Sequence, residues 1–447
     1  MADAASRAPG VPLAAADDFF AAGGTSREAT TWVAKLASAG ISVSLRDLFE
    51  KRTPQAVAAE REASRVPRGD SVPFVGRLGA TARQRRYTRV YLPRGKRNWA
   101  NMTSGVPLGE ESTADAAVHE LIARHDSLRA IVDTSKGEQV FLPVAQCTIP
   151  PIEQLTAREW ESVVSTPIDV GQWPPHRWAI RRGTPLGHQP LVQRRPQSVG
   201  AAAGTRRTSR GTRTAATCGV ELRRLLPRRA PPGPEFLVGG TAARSATLPV
   251  HLDARHAQQG AWRAVRPIPD SLLAAGRARG ITPFQGVMLG LFASLMKRTG
   301  RDDLLIGTPG HGRTVPGVED TVGNFISLVL VRLRAGELVP SILQDRLLGA
   351  LEHQDYQFDR GMDDLGQEEC EDRFPATGFF ASHMEIGSEP VVGVHPMEGD
   401  VKFDAMAYVL RHGGEHWLEI QARRSIFSAE ELDTLLRDVL AGWKDHC

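Results

Sequence analysis

The sequence predicts a mixed α/β (α+β) protein that begins with a short, purely helical segment. Three observations carry this. Ala29, Trp32, Val33, Leu36 and Ala37 recur at i, i+3, i+4, i+7 and i+8, the spacing of one helix face. From about residue 70 onward, helical and strand patterns alternate along the chain. Near the C-terminus two strand patterns, 402–410 and 416–424, flank Gly413-Gly414, a hairpin signal. Helices and strands in mixed order with an antiparallel hairpin belong to layered architectures rather than to bundles or sandwiches.

The elements follow in order. Thr25-x-x-Glu28 reads as a capping box, which starts the first helix beside Ser26, and Gly40 stands where its C-terminal cap would fall. Residues 58–70 are charged and polar with Pro67 and Gly69, a linker composition. A helix pattern covers 116–131 and a short strand 140–143. Helical signals over 271–298 break near Gly280. Runs at 304–308 and 325–334 read as strands, and 341–353 as a helix. Ser428-x-x-Glu431 caps a closing helix that runs to about 444.

A chain of 447 residues, 41% of them apolar, has the size of two or three domains with real cores. It contains no apolar run approaching the roughly 20 residues of a membrane span, and no N-terminal stretch of signal-peptide type. Cys147, Cys218, Cys370 and Cys447 form no C-x-x-C pair, which fits reduced thiols in a cytoplasmic protein and argues against a structural metal site.

The pI near 9.0 is local in origin. Residues 181–229 hold twelve arginines, no lysine and one acidic residue, Glu221, a net +11 that leaves the rest of the chain at −7. The tract mixes Gly, Ala, Pro, Ser and Thr, shows no sustained period and has no aromatic residue on which a base could stack. Composition therefore points to a disordered or anomalous insert and away from nucleic acid as a partner.

Two sets of motifs carry chemistry. In the first, Asp17-Asp18-Phe19-Phe20-Ala21-Ala22-Gly23-Gly24-Thr25-Ser26 puts a serine hydroxyl at a helix N-terminus beside two glycines that allow close approach. A lone serine there is ordinarily just a helix-start residue. The whole string, however, closely resembles the phosphopantetheine attachment motif of acyl and peptidyl carrier domains. Residues Leu45-Arg46-Asp47-Leu48-Phe49 through Thr53-Pro54 resemble that family's stretch between its third and fourth helices. The resemblance implies that Ser26 carries 4′-phosphopantetheine, installed by a phosphopantetheinyl transferase. Only 25 residues precede Ser26, fewer than the family's first helix and loop occupy, so the segment reads as N-terminally incomplete.

In the second set, Arg124-His125-Asp126-x-Leu128-Arg129, Gly307-Thr308-Pro309 with Gly312-Arg313, Val322-Gly323-Asn324-Phe325 with Leu330-x-Arg332, and His353-Gln354-Asp355-x-x-Phe358 stand in one order. Each string is weak alone. As an ordered set they resemble the condensation domain of nonribosomal peptide synthetases over about 70–180 and 245–447. By themselves His125 and His353 read as structural residues on helices, and the glycines at 307, 310 and 312 as a strand-to-loop turn, since no Gly-Lys-Ser/Thr follows to make a phosphate loop.

The resemblance implies a two-lobed, chloramphenicol-acetyltransferase-like fold acting on aminoacyl or peptidyl thioesters, with other synthetase modules as partners and no metal, nucleic acid or membrane. It divides the chain into a carrier segment (1–62), a linker (63–72), an N-lobe (73–245) and a C-lobe (246–447). One motif is missing. The family's H-H-x-x-x-D-G stands nowhere in the chain, and its place after Pro167-Ile168-Asp169 falls inside the arginine-rich tract. Read one nucleotide later, the codons for residues 190–198 permit His-x-x-x-Asp-Gly, and those from Val220 onward permit Tyr-Ala-Asp-Tyr, a match to the family's next motif. A frameshift over about 183–240, disrupting the N-lobe, accounts for both the charge and the loss, and resequencing the gene tests it. The catalytic residue is therefore unassigned. Two other functions stay open: a degenerate docking or scaffold module, and an ester-forming condensation or acyltransferase.

Overall fold

A computed structural model describes residues 13–58 in part, 75–81, 84–85, 101–108, 114–149, 152–156, 159, 169, 171–181, 189–196 and, with short interruptions, 252–446. The chain falls into two compact units. The larger draws on Met1–Arg65, Ala230–Thr314 and Ile326–Cys447, and the smaller on Val66–Arg229 and Val315–Phe325.

The N-terminal part of the larger unit is helical. Described residues between 28 and 36 are helical and bury Ala29, Trp32 and Leu36, the predicted face. α1 (Leu45–Lys51) starts at a capping box in which Ser44 and Asp47 bond reciprocally, and α2 (Pro54–Ala58) follows.

The smaller unit holds two sheets. Strands β1 (Gly76–Gly79), β3 (Ala130–Asp133) and β4 (Glu138–Phe141) form an antiparallel sheet in the order β1-β4-β3. Strands β2 (Asn101–Leu108), β5 (Glu153–Leu155), β6 (Arg177–Arg181) and β7 (Gln189–Pro196) form the second, in the order β2-β7-β6-β5. Between β2 and β3, helix α3 (Ala114–Arg124) buries Ala114, Val118 and Ile122 against Leu128, Trp178, Ile180 and Val322. β7 lies at the front of the arginine-rich tract, where no strand period is visible. Its backbone is laddered between β2 and β6 all the same, because pairing partners on both sides supply the hydrogen bonds whatever the side-chain pattern. Apart from Arg181, the last residue of β6, the rest of that tract lies outside the described residues, and so does the proposed frameshift boundary.

The remainder of the larger unit is one seven-stranded sheet with helices. Its elements are β8 (Ala261–Pro267), α4 (Asp270–Ala278), α5 (Pro283–Thr299), β9 (Asp303–Gly310), β10 (Ser327–Arg334), α6 (Pro340–Glu352), α7 (Phe358–Asp364), β11 (Phe379–Glu385), β12 (Gly393–Met397), β13 (Ala405–His412), β14 (Glu415–Arg423) and α8 (Ala429–His446). Strand order is β10-β9-β11-β13-β14-β8-β12, with β11 parallel to both neighbours and the other pairs antiparallel. The period of two decides which face each residue serves. Leu304, Ile306, Val329, Val331, Ala407 and Val409 enter the main core with α5 and α8, whereas Leu305, Leu328, Leu330 and Phe403 join Phe358 and Met362 of α7 in a second cluster. Helices α5 and α8 approach closely: a Cβ on Gly290 would lie 1.9 Å from the Val439 carbonyl oxygen, and one on Gly286 would lie 2.1 Å from the Trp443 ring. Only glycine fits there.

Candidate functional site

The N-terminal segment is built on aromatic packing. The Phe19 ring stacks on Trp32 at 5.2 Å, meets Phe20 edge-on at 4.9 Å, and Phe20 lies 4.3 Å from Phe49. Polar contacts close the loop around these rings. The Phe19 N–H donates to the Arg52 carbonyl (2.7 Å), and the Gly24 N–H donates to the Phe19 carbonyl (2.8 Å). Asp18 Oδ1 accepts from the Phe20 N–H at 2.8 Å, and its Oδ2 accepts from Arg52 Nε at 2.6 Å. Residue 24 must be glycine, since a Cβ there would stand 2.4 Å from the Phe19 ring. Thr25 and Ser26 lie outside the described residues, but the chain is fixed on both sides of them, by Gly24 against Phe19 and by the helical turn at Glu28 and Ala29. The Gly24 backbone thus rests against the Phe19 ring four residues ahead of the described helical turn at Glu28.

The second set of motif residues is mainly structural. Arg129 is fully buried. Its guanidinium donates to the carbonyls of Ile122 (2.7 Å), Ala123 (3.0 Å) and Leu142 (3.0 Å) and pairs with Asp126. It thereby takes up the open carbonyls at the end of α3. This corrects the predicted helix over 116–131, which stops at Arg124. His125 turns extended (φ −114°, ψ 107°), a 3-10 turn covers 126–129, and β3 begins at Ala130. His353 is likewise not within a helix but caps the end of α6, where Nδ1 donates to the Gly349 carbonyl at 2.8 Å. Gly307 and Gly310 lie within β9 instead of in a turn, and only Gly312 follows the strand.

The structure joins motifs that the sequence separates. Gln354 Oε1 accepts from the Gly312 N–H at 2.7 Å, and Ser127 Oγ donates to the Val322 carbonyl at 2.5 Å. Arg332 Nε donates to Asp303 Oδ1 at 2.8 Å, and this guanidinium holds the Asp303 carboxyl below its ordinary range.

His119, His176, His353, His395 and His412 each bond a backbone carbonyl, and the His176 ring also accepts from Trp178 Nε1 at 2.9 Å. These rings position loops and strands. Burial pushes the Cys147 thiol up, and burial together with Arg411 and Arg277 pushes His416 down. Cys147, the one cysteine among the described residues, is a buried free thiol. Among those residues no helix is long and apolar enough to cross a membrane.

Comparison with known proteins places these features together. Residues 2–60 match the phosphopantetheine attachment site family, and 275–441 match the condensation domain family. Bacitracin synthase 2 of Bacillus licheniformis is 26% identical over 42% of this chain and 8% of its own length. Tyrocidine synthase 3 of Brevibacillus parabrevis is 24% identical over 96% of this chain and 7% of its own. The chain thus spans less than a tenth of the length of these relatives. Among solved structures, the X-domain of teicoplanin biosynthesis in complex with OxyB matches with a TM-score of 0.63 at 18% identity, covering 86% of this chain and 96% of that one. The condensation domain of the monacolin K polyketide synthase MokA matches at 0.61 and 15%, covering 84% and 98%.

Fold and motif order therefore define a condensation-type chain preceded by a phosphopantetheine attachment segment. The chain carries a phosphopantetheine attachment site match followed by a condensation domain match, the pairing found alongside similarity to peptide synthases such as tyrocidine synthase 3. Its prosthetic group is 4′-phosphopantetheine.

Proposed function

We propose that this chain holds an aminoacyl or peptidyl group on phosphopantetheine at Ser26 and condenses such a thioester with an acceptor amine in natural-product biosynthesis. The observation that carries this reading is the order of the two family matches, attachment site at 2–60 before condensation domain at 275–441. The prosthetic group supplies a flexible thiol that keeps the acyl carbon activated. With the group bound, its thioester would offer the acyl carbon to an acceptor amine, the new C–N bond replacing the C–S bond and the amine's proton going to the released thiol. The chain's own part in the described structure is positional: the Phe19–Gly24 contact and Arg52 hold the loop ahead of Ser26, and Arg129, Gln354 and Arg332 hold the condensation fold. The division into 1–62, 63–72, 73–245 and 246–447 belongs to the same reading. So do a cytoplasmic location, a phosphopantetheinyl transferase as modifying partner and other synthetase modules as exchange partners.

Incubation with a phosphopantetheinyl transferase and coenzyme A, followed by intact-mass measurement, tests the attachment. One phosphopantetheine is expected on the chain and none on Ser26→Ala. A gain that survives the substitution overturns the assignment. Amine and alcohol acceptors offered in parallel then separate amide from ester formation.

A second reading, a docking or scaffold module, is favoured by the missing H-H-x-x-x-D-G. It also gains from the likeness to an X-domain solved in complex with OxyB. Turnover of an acceptor by the expressed chain excludes it.

A further inference from the structure

The interior of the smaller unit holds a histidine whose protonation state its neighbours dictate. His176 stands just before β6 and is 2% exposed. Its Nδ1 lies 2.9 Å from Trp178 Nε1, and its Nε2 lies 3.2 Å from the Leu128 carbonyl oxygen. An indole N–H can only donate and a carbonyl oxygen can only accept. The proton therefore sits on Nε2, Nδ1 is the acceptor, and the ring is neutral. Trp173 meets the same ring edge-on at 5.3 Å. The two bonds join β6, in the four-stranded sheet, to the turn over 126–129 that leads into β3, in the three-stranded sheet. His176 is thus a polar tie between the two sheets of this unit.

The groups around it are accounted for. Helix α3 gives the surrounding core Ala114, Val118 and Ile122. On the turn, Asp126 and Arg129 bond to each other, and His125 precedes them. Cys147 is a buried thiol pushed up by that burial, while Glu153 on β5 and Arg177 on β6 are exposed. We propose that His176 is a pH-sensitive latch in the smaller unit. A proton taken from solvent onto Nδ1 sets two N–H groups against each other, breaks the Trp178 bond and lets the two sheets part. An imidazole in water gains its proton near pH ~6.5, so below that value the opened unit binds more protons than the closed one and closure weakens. The latch stands on these contacts whichever acyl chemistry the chain performs.

Hydrogen exchange of the full chain at about pH 7.5 and about pH 5.5, expressed as protection factors so that intrinsic exchange chemistry cancels, tests the latch. Protection over 127–133 and 177–181 is expected to fall on the order of tenfold at the lower pH, while 286–296 in α5 keeps its own. His176→Gln offers Trp178 an oxygen and Leu128 an amide N–H but does not titrate, so protection in this variant should be the same at both pH values. Trp178→Phe removes the opposing donor, and its loss on acidification should be smaller than the parent's whatever its starting stability. Equal protection of the parent at both pH values overturns the latch. So does a fall in either variant that matches the parent's, which would assign the acid response to His125 or another group.

Discussion

Gln354 ties the end of α6 to the loop after β9: its Oε1 accepts from the Gly312 N–H at 2.7 Å while its Nε2 donates to the Leu351 carbonyl at 2.8 Å. The amide is needed because one position requires an acceptor and the other a donor. Gln354→Leu should cost about 1–3 kcal/mol, since both bonds are lost at a site that is 3% exposed. Gln354→Glu keeps the first bond but sets a carboxylate against a carbonyl, so its penalty should shrink as pH falls. Urea denaturation at two pH values checks both outcomes.

Arg129→Met should destabilise the smaller unit by roughly 3–5 kcal/mol, because it deprives buried Asp126 of its guanidinium and strips three carbonyls of their donor. Arg129→Lys should recover little, since an ammonium cannot match a planar fork. Thermal denaturation followed on Trp173 and Trp178 fluorescence reads the difference. Equal stability for Lys and Arg would refute the fork.

A matched pair of glycine substitutions separates close approach from helix propensity. Gly290→Ala pushes a methyl into the Val439 carbonyl and should cost about 1–3 kcal/mol or more. Gly349→Ala, on α6 with nothing within 4 Å of the added carbon, should be neutral or stabilising by up to about 1 kcal/mol. Denaturant midpoints give both values.

Arg332 holds the Asp303 carboxyl below its ordinary value near 3.8. A carboxylate with a depressed folded-state pKa adds stability that is present above its unfolded value and is lost as pH falls through the folded one. Asp303→Asn should therefore be less stable than the parent at neutral pH and lose less stability on acidification. Stability measured over roughly pH 5 to 2 tests this; parallel curves would remove the pair from the acid response.

What the sequence reveals is local. Gly413 and Gly414 turn the β13–β14 hairpin with φ of 57° and 91°, as their spacing predicts. Ser428 and Glu431 form their reciprocal cap, and the helical signal over 271–298 does break around Gly280. Trp32 and Leu36 lie on the buried face that their period requires. What stays hidden depends on distant partners. α3 ends seven residues early because a buried arginine takes its last carbonyls, which no helix period encodes. Arg46 and Asp345 are 299 residues apart and look like ordinary surface charges. One clue was readable: Gly286-x-x-x-Gly290 on a helix marks a close neighbour. At the candidate site, the Phe19 and Gly24 pattern is legible because its contacts are short in sequence, whereas Ser26 itself lies outside the described residues.

Val322 belongs to the buried core of the smaller unit and accepts the Ser127 hydroxyl there, yet it comes from a strip, Val315–Phe325, that follows β9. A gene cut near codon 245 therefore yields an N-terminal fragment missing a piece of its own interior and a C-terminal fragment carrying an orphaned one. Co-expression of the two halves should rescue what separate expression cannot, because each must be completed by the other during folding.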